Sequence, residues 1–392
     1  MEYCIKKRNN ISLMKNSVLL LNNTYSETDF IKVLKKRYKK IYTLSNTKAY
    51  NIDKKIKHIT LDYKDHKKII KLIKKYKFDH VFPGSNDLTL FTLSRCGIKN
   101  YFLDSYKKLY TLHNKRKFRE FYKQIFFFNY KNYRKKIKFS KSKLPILAKP
   151  HVGCGGKNIY LFKNHNDLKN FVEKNKEKYL FEEYFTGTDH GVFTLIKDKK
   201  IIFNFFDTEQ RYKNPFTVSS TINYCNIPEI YKKKILKEIL FIVRKLNLKD
   251  GIFHIQIKYN KIKKKFLILE PFRRIPGDKY LKFIRFSTGY PVEENILRLL
   301  LNENQIESKI KQKNYILRKI LMSPKNGKFK YLQIKKVLSR KIINKNIFIK
   351  KNDIIEDYYN QRLGIIFFRF KNKKEMIQTS KKIDNYIKIK LY

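Results

Sequence analysis

At 392 residues with 42% apolar content, the chain is long enough for two or three buried cores, and its composition excludes a disordered polymer. No apolar run approaches the roughly 20 residues that span a bilayer, and the short patch at 18–21 lacks the length of a signal-peptide core, so the expectation is a soluble, cytoplasmic protein without a membrane partner. The net charge of +58 would ordinarily suggest a polyanionic partner, but the lysines are spread along the whole chain rather than gathered into one arm or stripe. Abundant Lys, Asn, Ile, Phe and Tyr, scarce Ala, Gly and Pro, and no Trp read instead as the output of an A/T-biased coding sequence, which disfavours nucleic acid as the partner.

In chain order, residues 17–21 read as a buried strand, 28–38 as a helix, 40–44 as a second strand, 65–77 as a helix and 80–83 as a third strand. Strands alternating with helices predict a parallel, doubly wound unit over residues 1–112, with ligand-lining loops at Asn22-Asn23 and Gly84-Ser85-Asn86-Asp87, after the carboxyl ends of strands. Residues 113–124 read as a charged helix and 126–143 as an aromatic and basic linker. The strand 146–150 runs into the glycine-rich His151-Val152-Gly153-Cys154-Gly155-Gly156-Lys157. A loop is predicted over 209–220 and an amphipathic helix over 229–246. An antiparallel hairpin follows, with arms at 251–259 and 265–270 and its turn near Asn260. From 304 onward helical pattern mixes with strands at 364–370 and 386–391. The four cysteines, Cys4, Cys96, Cys154 and Cys225, form no CxxC pair, which argues against a zinc site or a disulfide framework and fits a reducing compartment.

Several residues carry chemistry. Three of the twelve glycines fall within four residues directly after Lys149-Pro150, where positive φ and close backbone approach suit a phosphate-covering turn. The run Phe181-Glu182-Glu183-Tyr184-Phe185 puts two acids at the end of an apolar strand. Glu270 closes another apolar strand, where a carboxylate is costly to bury unless a cation holds it. Arg273 and Arg274 follow it, with guanidinium forks shaped for carboxylate or phosphate.

This ordered set resembles the ATP-grasp superfamily, in the branch similar to biotin carboxylase and the carbamoyl-phosphate synthase large chain, over roughly residues 17–300. The resemblance implies a Rossmann-like domain at 1–112, an ATP-grasp domain of two lobes at 113–303 with its hinge near 180–185, and a small α+β portion at 304–392. It implies that Lys115 and Lys149 reach ATP phosphates and that Gly153, Gly155 and Gly156 cover them. Glu182 would accept from the adenine amino group, Glu183 and Phe185 would hold the ring through their backbone, and Asp189 would bind the ribose hydroxyls. Glu270 would ligate magnesium, or manganese in its place; Arg274 would steady the transferred phosphoryl group with Lys149, and Arg273 would share that work or bind substrate.

Two departures stand out. Gln256 occupies the place of a second metal carboxylate, and Phe272, which cannot ligate, replaces an asparagine. The expected activity is ATP-dependent joining of a small-molecule carboxylate to an amine or other nucleophile through an acyl phosphate, with a homodimer as a candidate assembly. A noncatalytic ATP-binding module is the alternative, and a charge-driven nucleic-acid binder a more distant one.

Overall fold

Four consecutive apolar residues, 18–21, are fully buried at the carboxyl end of β1 (Lys15–Leu21), as expected for a strand covered on both faces. With β2 (Tyr38–Ser45), β3 (Ile56–Thr60) and β4 (His80–Pro83) it forms a parallel sheet in the order β3-β2-β1-β4. This computed structural model describes residues 14–50, 53, 55–98, 102–124, 127–128, 144–153, 155–175, 178–305 and 314–392. The helix expected over 28–38 ends at Leu34, because Tyr38 already enters β2. The helix His66–Tyr76 starts at Asp65, whose carboxylate accepts from the Lys68 N–H, and stops at Lys77 in the left-handed region.

The loops after β1 and β4 lie side by side and are joined by Glu27, which is fully buried. Its Oε1 accepts from the Ser85 N–H at 2.7 Å and from Asn22 Nδ2 at 2.9 Å, and its Oε2 accepts from the Thr24 N–H at 2.9 Å. Gly84 is required by this close approach, since a Cβ there would stand 2.4 Å from the Leu21 carbonyl oxygen.

The charged segment at 113–124 is the end of one helix, Tyr106–His113, and the whole of another, Lys115–Phe121. Asn114 separates them and caps the second by accepting from the Lys117 N–H. An antiparallel sheet follows from β5 (Phe127–Phe128), β6 (Ile146–Pro150), β7 (Tyr160–Phe162) and β8 (Tyr179–Glu183), in the order β5-β8-β6-β7. The helix His165–Asn175 packs on it through Leu168 and Val172. Apart from 127–128, the linker read at 126–143 lies outside the described residues.

Next come β9 (Thr188–Lys197), β10 (Lys200–Phe206), β11 (Thr208–Arg211), β12 (Val218–Ile222), β13 (Gly251–Asn260) and β14 (Lys265–Phe272). They are followed by β15 (Tyr315–Leu321), β16 (Gly327–Ile334), β17 (Ile342–Ile347), β18 (Ile354–Ile355), β19 (Gly364–Phe370) and β20 (Ile387–Leu391). Nine of these form one sheet along β14-β13-β9-β11-β12-β15-β19-β17, with β10 also on β9. The sheet thus continues across residue 304, while β18-β16-β20 form a separate three-stranded sheet.

The predicted hairpin is β13–β14, and the predicted amphipathic helix is Glu229–Lys245, buried through Ile235, Ile239, Ile242 and Val243. The loop expected over 209–220 is confined to 212–217, with strand on either side, since β11 continues the line of β10 along β9 and pairs with β12. Its polar residues hide the strand pattern because they face a polar cleft rather than an apolar core. A continuous core joins the parallel sheet to the helices Tyr280–Thr288 and Val292–Leu300 and to Ile316, Ile320 and Phe367. Arg37 to Glu294 at 2.7 Å and Lys282 to Asp29 at 3.2 Å fasten the same contact. Among the described residues, no helix is long and apolar enough to cross a membrane.

Candidate functional site

Side chains alternate across a strand, so Glu270, Phe272 and Arg274 share one direction and Arg273 points the other way. Across the hairpin, Gln256 stands opposite Glu270 and His254 opposite Phe272. These five cleft-facing residues line a cavity of about 490 Å³ together with Gly155, Gly156, Glu209 and Arg211. The loops after β1 and β4 close another side through Asn22, Ser85 and Asp87, and Arg318 and Arg362 reach in from beyond residue 304.

The glycine-rich turn is clamped from two directions. Gly155 and Gly156 have φ of +70° and +72°, and a Cβ on Gly156 would lie 2.6 Å from the Phe216 carbonyl oxygen. Thr217 Oγ1 donates to the Gly155 carbonyl at 2.8 Å. Gly153 has no positive φ and acts through its carbonyl, which accepts from Lys115 Nζ at 2.8 Å. Lys115 also lies 3.2 Å from Glu270 Oε2, so the first residue of its helix ties the turn to the end of β14.

Arg274 is held in fork geometry by Asp87 of the β4 loop, at 2.6 Å from Nε and 3.1 Å from Nη2. Burial acts to raise the Asp87 carboxyl, but Arg274, His113 and Lys115 outweigh it and hold the group below the usual carboxylate range. Arg273 does not reach the cavity. Its Nε donates to Asp104 at 2.8 Å, and its Nη atoms donate to the Ile252 and Lys249 carbonyls at 2.6 and 2.7 Å. The expected catalytic or substrate role for Arg273 is therefore corrected to a structural one, because alternation sends it behind the sheet.

Lys149 and Glu182 meet in a buried node beside the cavity rather than in its wall. Lys149 Nζ donates to Glu182 Oε1, and Arg119 Nε donates to Glu182 Oε2 at 2.9 Å. Arg119 also donates to the Ile268 and Leu269 carbonyls at 2.9 and 3.1 Å, linking β8 to β14 just before Glu270. Burial works against the Glu182 charge, yet the two cations bring its pKa down to about 2. Burial pushes the Lys149 ammonium down, with Glu182 pulling it partly back. Two cations on one carboxylate leave the node with surplus positive charge. Glu183 and Phe185 are half-buried at the end of β8 and just beyond it, outside the cavity lining.

Asp189 faces Arg211 at 3.2 Å and Lys258 at 3.1 Å. Arg211 also reaches Glu209 at 3.3 Å, and Gln256 Nε2 donates to both Glu209 oxygens at 3.0 and 3.2 Å. With that nitrogen committed, the Gln256 oxygen is the atom left to accept. Glu270 and Gln256 thus offer oxygen donors suited to a hard cation such as magnesium, which commonly takes one or two protein carboxylates and completes its shell with phosphate and water. Among the described residues, no cluster of three or more His, Cys, Asp or Glu side chains is placed to hold a metal ion.

His254 stacks on Tyr280 at 4.9 Å, and burial, with Arg274 and Arg318 nearby, lowers its pKa to about 3. Two cleft or node residues, Arg119 and Arg318, escaped the sequence reading, and Asp87 and Glu209 were read only as members of candidate ligand loops and given no role of their own. Asp87 and Glu209 stood in segments already noted, and Arg119 is one helical turn from Lys115, on the same face. Arg318 carried no local signal, since β15 reaches the cleft only through sheet pairing with β12.

No family model and no curated protein matches the chain by sequence. Solved structures do match in fold. L-amino acid ligase from Bacillus licheniformis superposes with a TM-score of 0.80 at 15% identity, covering 96% of this chain and 99% of that one. Phosphoribosylglycinamide synthetase from Anaerococcus prevotii gives 0.73 at 16% identity, covering 96% and 100%. The biotin carboxylase domain of 2-oxoglutarate carboxylase from Hydrogenobacter thermophilus, in complex with the magnesium salt of adenosine 5'-diphosphate and with bicarbonate, gives 0.72 at 13% identity, covering 96% and 91%. The chain therefore has the ATP-grasp fold, mixed α/β with one parallel sheet and several antiparallel ones.

Proposed function

With the ATP-grasp fold as the premise, we propose that this chain is a magnesium-dependent ligase that uses ATP to activate a small-molecule carboxylate and couples it to an amine or other nucleophile. What supports this most is the convergence of Glu270, Gln256, Arg274 and the Gly155-Gly156 turn on one cavity that opens onto the loops after β1 and β4. Under this reading residues 1–112 are the Rossmann-like domain and 113–303 the two-lobed nucleotide domain hinged near 180–185. Residues 304–392 complete the substrate pocket through Arg318 and Arg362.

The nucleotide lies between the β5–β8 sheet and the large sheet. Glu182, Glu183, Phe185 and Asp189 face its adenosine end; Lys115, Lys149 and the glycine turn face its phosphates. Glu270 and Gln256 hold magnesium, which when bound neutralises phosphate charge. Arg274, kept rigid by Asp87, presents its guanidinium to the oxygens of the phosphoryl group as it moves from ATP to the substrate carboxylate, giving acyl phosphate and ADP. The nucleophile then attacks the acyl carbon and phosphate leaves. Arg318 is suited to the substrate carboxylate because its guanidinium is buried, pinned by Thr221 Oγ1 at 2.8 Å, and retains an unpartnered Nε.

Calorimetric titration with a nonhydrolysable ATP analogue, with and without magnesium, tests this reading. Wild type is expected to bind in a magnesium-dependent way that Glu270→Ala weakens, and a phosphate-release screen over carboxylate and amine pairs then identifies the substrate. An absence of nucleotide binding by wild type would sink the reading. Phe272, stacked under the Arg274 guanidinium at 5.1 Å where relatives carry a ligand, favours a second reading as a noncatalytic ATP-binding module. Binding without phosphate release on any pair would select it.

A further inference from the structure

The cleft lacks a carboxylate on β13, where Gln256 stands, yet it contains a buried one two strands away. Glu209 on β11 is 5% exposed and receives both of its close Gln256 contacts from the same amide nitrogen. The register partner of Glu209 on β9 is Asp189, so the contact runs diagonally past Gly191, the register partner of Gln256. Having no side chain, Gly191 leaves the path from β13 to β11 open. A Cβ at Gly191 would sit 2.8 Å from Asp207 Oδ2 and 3.0 Å from Tyr280 Oη, so the gap is enforced by packing.

An ionised carboxylate can only accept, and an amide carries its donors on nitrogen and its acceptor on oxygen. Glu209 therefore selects one of the two amide orientations of Gln256, the one in which the nitrogen faces β11. Arg211, 3.3 Å from Glu209, supports the carboxylate from the other side, and Lys258 and Arg211 absorb the neighbouring Asp189. Glu209, paired with Arg211, and Glu270, paired with Lys115, are the carboxylates that flank the Gln256 amide.

We propose that Glu209 is a positioning residue for the cation site: by fixing the Gln256 amide it presents that residue's oxygen as a ligand, and it supplies from β11 the negative charge absent from β13. This rests on the magnesium-dependent reading above. It assigns Glu209 no bond to the cation; groups that orient a ligand commonly change metal affinity by about 10–100-fold when removed.

The test uses Mn²⁺ as the spectroscopic probe and ADP as the nucleotide, on the full chain. Free Mn²⁺ is read by electron paramagnetic resonance, metal-free ADP affinity by calorimetry, and folding by thermal denaturation. Glu209→Gln is expected to weaken ADP-dependent Mn²⁺ binding by about tenfold or more while metal-free ADP affinity stays within about twofold. Adding Gln256→Glu to that variant is expected to restore Mn²⁺ binding, an outcome that a merely structural role for Glu209 does not produce. Where Glu209→Gln lowers the melting temperature substantially, Gln256→Met examines the same amide from its other end with Glu209 intact, and the same Mn²⁺ loss is expected. Wild-type Mn²⁺ affinity in Glu209→Gln or Gln256→Met, alongside its loss in Glu270→Gln, overturns the role of Glu209 and leaves the ligase reading standing. Failure of wild type to bind ADP at all overturns both.

Discussion

Two sets of ion pairs flank the end of β14, and they are built differently. In the node, Arg119, Lys149 and Glu182 have side chains that are 2%, 8% and 1% exposed, and both cations close on a single carboxylate. In the cleft, Lys115 meets Glu270 and Arg274 meets Asp87, with Glu270 at 26% exposure and each cation drawn from a different element than its acid. The node is nearly closed to solvent, so its charges hold the β5–β8 sheet against β14, and under the proposed function Lys149 and Glu182 would also border the nucleotide. The cleft pairs border an open cavity, where, under the proposed function, incoming phosphate and metal would take over part of each bond. One chemistry thus serves both fixation and exchange, and burial decides which.

Removing the shared acid should separate the two regions most sharply. Glu182→Gln leaves two buried cations without a counter-charge, and a loss of roughly 3–5 kcal/mol in unfolding free energy is expected by denaturant titration. Glu182 carries its stabilisation above the unfolded carboxylate range and loses it as pH falls toward its folded value of about 2, so this difference should persist at neutral pH. In the cleft, Arg274→Ala should lower turnover of a substrate identified by phosphate release by about 100-fold or more while leaving most of the stability intact. A melting-temperature loss as large as that of Glu182→Gln would erase the contrast.

The neighbouring Arg273→Ala sharpens it from the opposite face of the strand. Loss of the Asp104 pair and two carbonyl contacts should cost roughly 2 kcal/mol of stability, with nucleotide affinity measured on the folded fraction nearly unchanged. The last expected effect is a pH dependence, spread over a range of pH rather than tied to one variant. Burial, joined at His254 by Arg274 and Arg318, lowers His254 to about 3 and His190 to about 4. Their unfolded forms take up protons near pH 6.5 while the folded forms refuse them, so stability is full above that pH and falls as it drops toward 4. Each histidine should contribute a slope of roughly 1 kcal/mol per pH unit there, and a flat profile between pH 7 and 5 would contradict it.

The amino-acid sequence by itself determined the alternation of strand and helix in the first hundred residues apart from β3, the β13–β14 hairpin and the long amphipathic helix. These have short-range causes: an apolar run, a turn at Asn260, and isoleucines at helical spacing. It also marked Glu270, Arg274, Gly155 and Gly156, which line one cavity, because strand ends and glycine turns leave local patterns. Only the tertiary structure decided that Arg273 turns away from the cavity, since the pleat that separates it from Arg274 is invisible until the strand's buried face is known. Tertiary structure likewise decided that Lys149 closes on Glu182 and Arg119. The same holds for Asp87, Glu209 and Arg318, which enter one cleft from three distant segments. Those meetings depend on sheet order and on the space left by Gly191, both set by contacts between residues far apart in the chain.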